Sequence, residues 1–493
     1  MPSVEVMDLS ECMTTPEFSI ASAQTGQRFL CCANVSGSHW RTKGGSALGR
    51  TVIIQPEILS MSNLVWTSSP ARSVTGVLHV PGDKSISHRS VMFASLADGV
   101  SRITGFLEGE DTRATARAFA QMGVRIDTPS ASERIVHGVG IDGLKAPAAP
   151  IDCGNAGTGM RLLAGLLAGQ AFDTTLIGDE SLSKRPMRRV IDPLAKMGAR
   201  IESNDGGLPP LRIAGGRTLQ GIDYTLPVAS AQVKSALLLA GLYAQGEMQV
   251  HEPHPTRDYT ERMLRAFGYP IEFSEGHARL TGGHRLRATD VTVPADFSSA
   301  AFFLVAASIV PGAELTLRDV GMNPRRTGLL QALRLMGADI RETNAREAGG
   351  EAIADLLVRH APLRGIDVPV ELVPDMIDEF PALFVAAAVA KGTTRITGAA
   401  ELRVKESDRI AVMAKGLRVL GARIEETPDG AIIEGGALRA GEADSAGDHR
   451  CAMSFCVAGL VADGPVRVLD CANVATSFPG FLDLANSCGF SLS

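Results

Sequence analysis

Two kinds of apolar segment alternate along the chain from about residue 64 onward. The first is apolar on every side and rich in Ala and Leu, as at 91–97, 162–167, 300–310 and 382–390. A helix of that kind has no solvent face and must be buried. The second is amphipathic and ends each time on a hydrophobic-Gly phrase. The copies are Gln121-Met122-Gly123-Val124, Lys196-Met197-Gly198-Ala199, Ala266-Phe267-Gly268-Tyr269, Leu335-Met336-Gly337-Ala338, Val419-Leu420-Gly421-Ala422 and Ser487-Cys488-Gly489-Phe490. Each Gly stands where a helix end needs a positive φ, and most are followed by a short strand such as 200–202 or 423–425. Helix, Gly and strand recur in any α/β protein, but six copies about 70 residues apart predict six related α/β units, most simply three per domain.

Residues 1–60 break this pattern. They lack periodicity, carry Cys31-Cys32 and a Gly/Ser stretch at 44–49, and place their acids before residue 18 with no other until Glu57. A secretory signal needs a basic start and an apolar core, and a transit peptide is poor in acids. The segment therefore reads as an extension, either disordered or the product of a start placed too early, with Met61 as a natural second start.

The formal charge is −6, which argues against a general binder of nucleic acid or anionic membrane. Aromatics are 5% of residues, too few for base-stacking platforms to dominate. The Cys at 12, 31, 32, 153, 451, 456, 471 and 488 show neither a CxxC nor a ligand spacing, so they read as reduced thiols and no zinc site is expected. No apolar run is long enough to span a bilayer.

The chemistry sits in polar or Gly-rich phrases that open the all-apolar helices. The first is Gly82-Asp83-Lys84-Ser85-Ile86-Ser87-His88-Arg89, after a strand-like run at 74–80 and before the helix at 91–97. A helix start with added cations suits an anion, although the phosphate-loop spacing Gly-x4-Gly-Lys-Ser/Thr is absent. The second is Gly154-Asn155-Ala156-Gly157-Thr158-Gly159-Met160-Arg161, whose glycines let backbone approach a ligand but do not follow the dinucleotide spacing. Others are Ser183-Lys184-Arg185-Pro186-Met187-Arg188-Arg189, Ser230-Ala231-Gln232-Val233-Lys234-Ser235, Pro255-Thr256-Arg257-Asp258, Asp378-Glu379-Phe380-Pro381, Arg403-Val404-Lys405-Glu406-Ser407-Asp408-Arg409 and Asp448-His449-Arg450. Singly, each Asp reads as a helix cap, Asp378 at the cap of the 382–390 helix, and each Arg as a surface charge. Together they offer seven cations (Lys84, Arg89, Arg185, Arg257, Lys405, Arg409, Arg450) and two carboxylates, Asp378 and Glu406. An acidic protein that gathers such cations at helix starts calls for a small, multiply anionic ligand.

These phrases resemble the EPSP synthase family, and within it a bacterial subgroup called class II, from about residue 64 to the C-terminus. The resemblance implies an α/β fold of two domains, each of three pseudo-symmetric repeats with buried helices. The first domain would be discontinuous, 64–83 plus 294–493, and the second 84–293, with the active site in the cleft between them. It also implies transfer of the enolpyruvyl group of phosphoenolpyruvate to the 5-hydroxyl of shikimate 3-phosphate, with release of phosphate. Such a pair of substrates carries about −5 to −6 in charge, which the seven cations would offset.

By the same resemblance, Ser85, Arg89, Ser230, Ala231, Gln232, Arg257 and Lys405 would hold shikimate 3-phosphate, together with Lys84 and Asp378. Lys84, Gly157, Arg185, Gln232, Arg409 and Arg450 would hold phosphoenolpyruvate, with Thr158 beside Gly157. Asp378 would take the 5-hydroxyl proton, Glu406 would protonate the methylene carbon as an acid of raised pKa, and Lys84 would help phosphate leave. No metal or organic cofactor is implied, and no nucleic-acid or membrane partner. The expected state is a cytoplasmic monomer, and glyphosate would compete for the phosphoenolpyruvate place.

Three positions depart from many relatives: Thr476 where Lys is common, Glu401 where Asn is common, and Ala231 where Ser is common; all three fit the class II subgroup. Two other readings remain. The enolpyruvyl transferase that acts on UDP-N-acetylglucosamine shares the fold but uses a loop Cys, and Cys153 lies just before the Gly154 loop, where it reads better as a small buried residue. A non-catalytic anion-binding module would keep the cations and need neither carboxylate.

Overall fold

The six glycines that end the amphipathic segments all adopt positive φ, from 74° at Gly268 to 107° at Gly489. That left-handed turn releases the chain from a helix at no steric cost to glycine. The structure, a computed structural model, describes residues 64–493; the extension read at 1–60 and the candidate start Met61 lie outside the described residues.

Among the described residues twelve α-helices follow one another as six successive pairs. They are α1 (Lys84–Leu96) with α2 (Glu110–Gln121), α3 (Gly157–Ala168) with α4 (Arg188–Lys196), α5 (Ala231–Gly241) with α6 (Tyr259–Ala266), α7 (Phe297–Ile309) with α8 (Gly328–Leu335), α9 (Phe380–Val389) with α10 (Arg409–Val419), and α11 (His449–Gly459) with α12 (Phe481–Ser487). In each pair the first helix is buried and the second ends at one of the six glycines. All of α7 and α11 is buried, and all of α9 but its last residue. With apolar side chains all round, such helices are stabilised by burial alone, at about 1.5–3 kcal/mol for each large side chain.

Each pair belongs to one of six small sheets. In five units the strand after the buried helix pairs antiparallel with a hairpin that follows the outer helix, and in the sixth Val466–Leu469 pairs antiparallel with Trp66–Ser69, which also holds Ser491–Leu492. In the first unit Ala97–Thr104 pairs with Glu133–Val139 through Ser101 and Val136, and Glu133–Val139 pairs with Arg125–Ser130. Five sheets also take a parallel edge strand: in three it lies just before the buried helix, and in two it comes from a distant part of the chain, Leu286–Arg287 beside Ala97 and Thr75–Leu78 beside Glu314–Leu317. The units thus interlock.

The apolar residues form two separate clusters. One holds Val74, Leu78, Val80 and then residues from Ala295 to Leu492. The other runs from Ile86 to Val293. The chain passes between them at 80–86 and at 293–295, and the two passages are bonded to each other. Asp83 N donates to Pro294 O and Asp296 N donates to Pro81 O, both at 2.8 Å. Gly82 lies between them, where a Cβ would come 1.8 Å from Gly105 O, so no other residue fits without moving the backbone.

The helices start earlier than the apolar pattern predicts. Lys84 and Gly157 are themselves first-turn residues of α1 and α3. Glu379, not Asp378, is the N-cap of α9. Hydrophobic periodicity cannot see a first turn that is polar because it faces a cavity.

Candidate active site

The starts of α1, α3, α5 and α11, and the turn that leads into α9, line one cavity of about 370 Å³. Converging helix N-termini place partial positive charge there before any side chain is counted. Lys84, Ser85, Arg89, Gly157, Thr158, Arg185, Ser230, Ala231, Gln232, Arg257, Asp378, Lys405, Glu406 and Arg450 all border it. Arg409 lies just behind its wall and is buried.

The cations are held in different ways. Arg89 donates to Thr260 Oγ1 and Ser235 Oγ at 2.8 Å and to the Ser85 carbonyl at 3.0 Å. These are neutral oxygens, so they fix the guanidinium without cancelling its charge; burial brings Arg89 down to about 10. Arg185 donates to Asn155 Oδ1 at 2.7 Å and Ser181 Oγ at 3.1 Å, both in its own half of the site. Lys84 pairs with Asp111 at 2.9 Å. Arg450 takes its place because Asp448 caps α11, accepting from Arg450 N at 2.9 Å.

Gln232 joins two phrases. Its Nε2 donates to Thr158 Oγ1 at 2.9 Å while its Oε1 accepts from Arg161 at 2.7 Å. Ser230 caps α5, accepting from Val233 N at 3.4 Å.

Asp378 faces four cations: Arg257 at 2.7 Å, Arg409 at 3.4 Å, and Lys405 and Arg326 at 3.6 Å. Burial would raise its pKa, but Lys405, Arg257, Arg450 and Arg409 together hold it well below the carboxylate range. Glu406 lies 2.5 Å from Arg409 and 3.6 Å from Arg185. It too is pulled well down against its burial, by Arg409, Arg185, His449 and Lys84. The expectation of a raised acid at Glu406 is therefore not met by the residues around it. Arg409 stands between the two carboxylates and is oriented by Asp448 at 2.8 Å.

Sequence reasoning passed over several cavity residues. Arg161 follows Gly157 by one helical turn and so shares its face. It is buried, and burial with Arg189 and Arg185 brings it down to about 9. Arg189 pairs with Glu401 at 2.6 Å. Arg326 is buried among Asp296 at 3.0 Å, Glu379 at 3.3 Å, Asp378 at 3.6 Å and Asp83 at 3.9 Å. No local pattern marks Arg326; it reaches the site only through tertiary packing. Thr476 does not border the cavity, and its hydroxyl donates to Asn473 O at 2.7 Å. Cys153 is buried, and burial pushes its thiol up to about 12. Among the described residues no group of His, Cys, Asp and Glu is arranged to hold a metal ion, and no helix is long and apolar enough to cross a membrane.

The family model for EPSP synthase (3-phosphoshikimate 1-carboxyvinyltransferase) matches residues 69–484. The chain belongs to this family. A 3-phosphoshikimate 1-carboxyvinyltransferase of Xanthomonas euvesicatoria pv. vesicatoria is 69% identical over 434 residues, which cover 88% of this chain and 99% of that protein. One from Xanthomonas oryzae pv. oryzae is 70% identical over 427 residues, 87% of this chain and 97% of the relative. Among solved structures, EPSP synthase from Acinetobacter baumannii has a TM-score of 0.78 at 52% identity, covering 87% of this chain and 99% of its own. The enolpyruvyl transferase NikO from Streptomyces tendae shares the fold, with a TM-score of 0.72 at 17% identity over 88% of this chain and 99% of its own.

Proposed function

We propose that the cavity binds shikimate 3-phosphate and phosphoenolpyruvate side by side and that Asp378 and Glu406 move the protons of the transfer. The activity is that of the family, 3-phosphoshikimate 1-carboxyvinyltransferase, an enzyme of aromatic amino-acid biosynthesis. The observation that carries the assignment of roles is Arg409 set between Asp378 and Glu406 in a cavity bordered by cations from both apolar clusters.

Ser85, Arg89, Ser230, Ala231, Gln232, Arg257 and Lys405 take shikimate 3-phosphate, and Lys84, Gly157, Arg185, Gln232, Arg409 and Arg450 take phosphoenolpyruvate. Arg89, fixed by neutral oxygens, keeps its charge for a phosphate. Asp378 accepts the 5-hydroxyl proton as that oxygen bonds to C2 of the enol, while C3 takes a proton from Glu406. The adduct then returns a proton from C3 to Glu406 as the C2–O bond to phosphate breaks, so the C2=C3 double bond re-forms as an enol ether, and the proton taken by Asp378 leaves with the phosphate as hydrogen phosphate. Lys84 steadies the departing phosphate.

The low pKa of Glu406 is consistent with this role. Its carboxylate is held down by Arg409, Arg185 and Lys84, the groups that an anionic ligand engages. Phosphoenolpyruvate brings negative charge against those cations and weakens their hold on Glu406, so the ligand itself raises the acid it needs.

The two apolar clusters are read as the two domains, 64–83 with 294–493 and 84–293, and the protein as a cytoplasmic monomer. The buried Cys153 weighs against the UDP-N-acetylglucosamine reading, which needs a reactive loop thiol. Phosphate release, assayed with both substrates and with each one omitted, tests the function: release only with both supports it, and release without shikimate 3-phosphate overturns it.

A further inference from the structure

One ion pair bordering the cavity has no part in the ligand contacts above. Arg189 donates to Glu401 at 2.6 Å, with the two side chains 30% and 27% exposed. Arg189 lies in the first turn of α4, where a cation opposes the helix dipole, and its charge also bears on Arg161. Both effects are unfavourable where they arise. The compensating carboxylate lies 212 positions along the chain, in the 3-10 turn Ala400–Val404. Leu402 of that turn belongs to one apolar cluster, whereas Val190 and Leu194 of α4 belong to the other. The pair therefore spans the cavity.

Two further pairs span it here, Arg257 with Asp378 and Arg185 with Glu406. Both use groups that anionic ligands compete for, so ligand binding draws on them. Arg189 and Glu401 remain available throughout. Arg185 stands four residues before Arg189 and Lys405 four after Glu401, so each partner carries a proposed ligand cation close by. Glu401 also brings a carboxylate to a site for polyanions, and Arg189 is what offsets it.

We propose that Arg189 and Glu401 are positioning residues: a clasp that holds the two sides of the cavity at the spacing in which Arg185 and Lys405 meet the same ligands. The proposal rests on the reading that two anionic substrates bind here. A ligand that needs both sides binds in proportion to the fraction of molecules so arranged, so the clasp acts on apparent affinity for both substrates and leaves the chemical step alone.

The test uses the full chain with Arg189→Gln, with Glu401→Gln, and with the charge exchange Arg189→Glu plus Glu401→Arg. Each single variant is expected to raise KM for both substrates about two- to fivefold, the range an exposed ion pair can supply, with kcat within about twofold. The exchange should recover part of the loss. Small-angle scattering of the ligand-free protein should show a larger radius of gyration in the single variants. Unchanged KM values, a fall in kcat at constant KM, or an exchange no better than the worse single variant would overturn the clasp. Should the unsubstituted chain give no turnover, the substrate reading fails on its own. The clasp is then judged by scattering and by a double-mutant cycle on thermal unfolding, where zero coupling sinks it.

Discussion

Arg257 and Asp378 lie 121 positions apart in sequence and 2.7 Å apart in space. One comes from the loop before α6 and the other from the turn before α9, so the pair links the two sides of the cavity that it borders. It helps keep Asp378 ionised, as its proposed role of proton acceptor needs, and it engages a cation proposed to bind phosphate.

Asp378→Asn should therefore separate chemistry from binding. A lost general base costs about 10²- to 10⁴-fold in rate. Affinity for shikimate 3-phosphate should hold or tighten, since Arg257 and Lys405 lose a competing carboxylate. Steady-state kinetics and calorimetry check this; retained turnover with weakened binding would contradict the assigned role.

Gly157→Ala should weaken glyphosate more than phosphoenolpyruvate. A Cβ at this position would meet Arg185 Nη1 at 3.1 Å and Arg161 Nη1 at 3.2 Å. Both are ends of long, hydrogen-bonded side chains, so the methyl is accommodated by shifting guanidinium groups, which the longer ligand tolerates less. The inhibition constant for glyphosate should rise by a larger factor than KM for phosphoenolpyruvate; equal factors would count against the idea.

Thiol reagents should leave the folded enzyme active. Cys153 is buried and its thiol is pushed up to about 12, so almost no thiolate exists at neutral pH. Mass spectrometry after brief alkylation should find Cys153 unmodified, with turnover intact. Rapid modification with complete loss of turnover would favour the UDP-N-acetylglucosamine reading.

Glu351 makes stability depend on pH in a direction that can be checked. Burial pushes it up to about 7, against Arg262 and with Asp258 adding. Its pKa is thus higher folded than unfolded, where about 4.3 is usual. Its contribution to stability is fully present below about pH 4 and is lost as pH rises through 7. Glu351→Gln removes that loss. Relative to the unsubstituted chain, the variant should gain about 1–3 kcal/mol in unfolding free energy between pH 4 and pH 8, read by denaturant titration at both values. No change with pH would show that Glu351 ionises as freely in the folded protein as in the unfolded chain.

Much of this molecule is local information. The hydrophobic-Gly phrases determine six helix ends because left-handed turns need glycine, and the all-apolar segments determine which helices are buried because they have no face to show water. The charged phrases mark the helix starts that carry the chemistry, and each of the seven cations and two carboxylates singled out there either borders the cavity or, like Arg409, touches the carboxylates that do. What the sequence could not supply was pairing. Arg326 among four carboxylates, Arg189 on Glu401, and Arg409 between Asp378 and Glu406 depend on which chain segments meet. The same meeting holds Glu406 ionised, because a carboxyl's pKa follows the charges around it, and beside its near neighbour Arg409 those are Arg185 before α4, His449 in α11 and Lys84 in α1, which lie far apart along the chain.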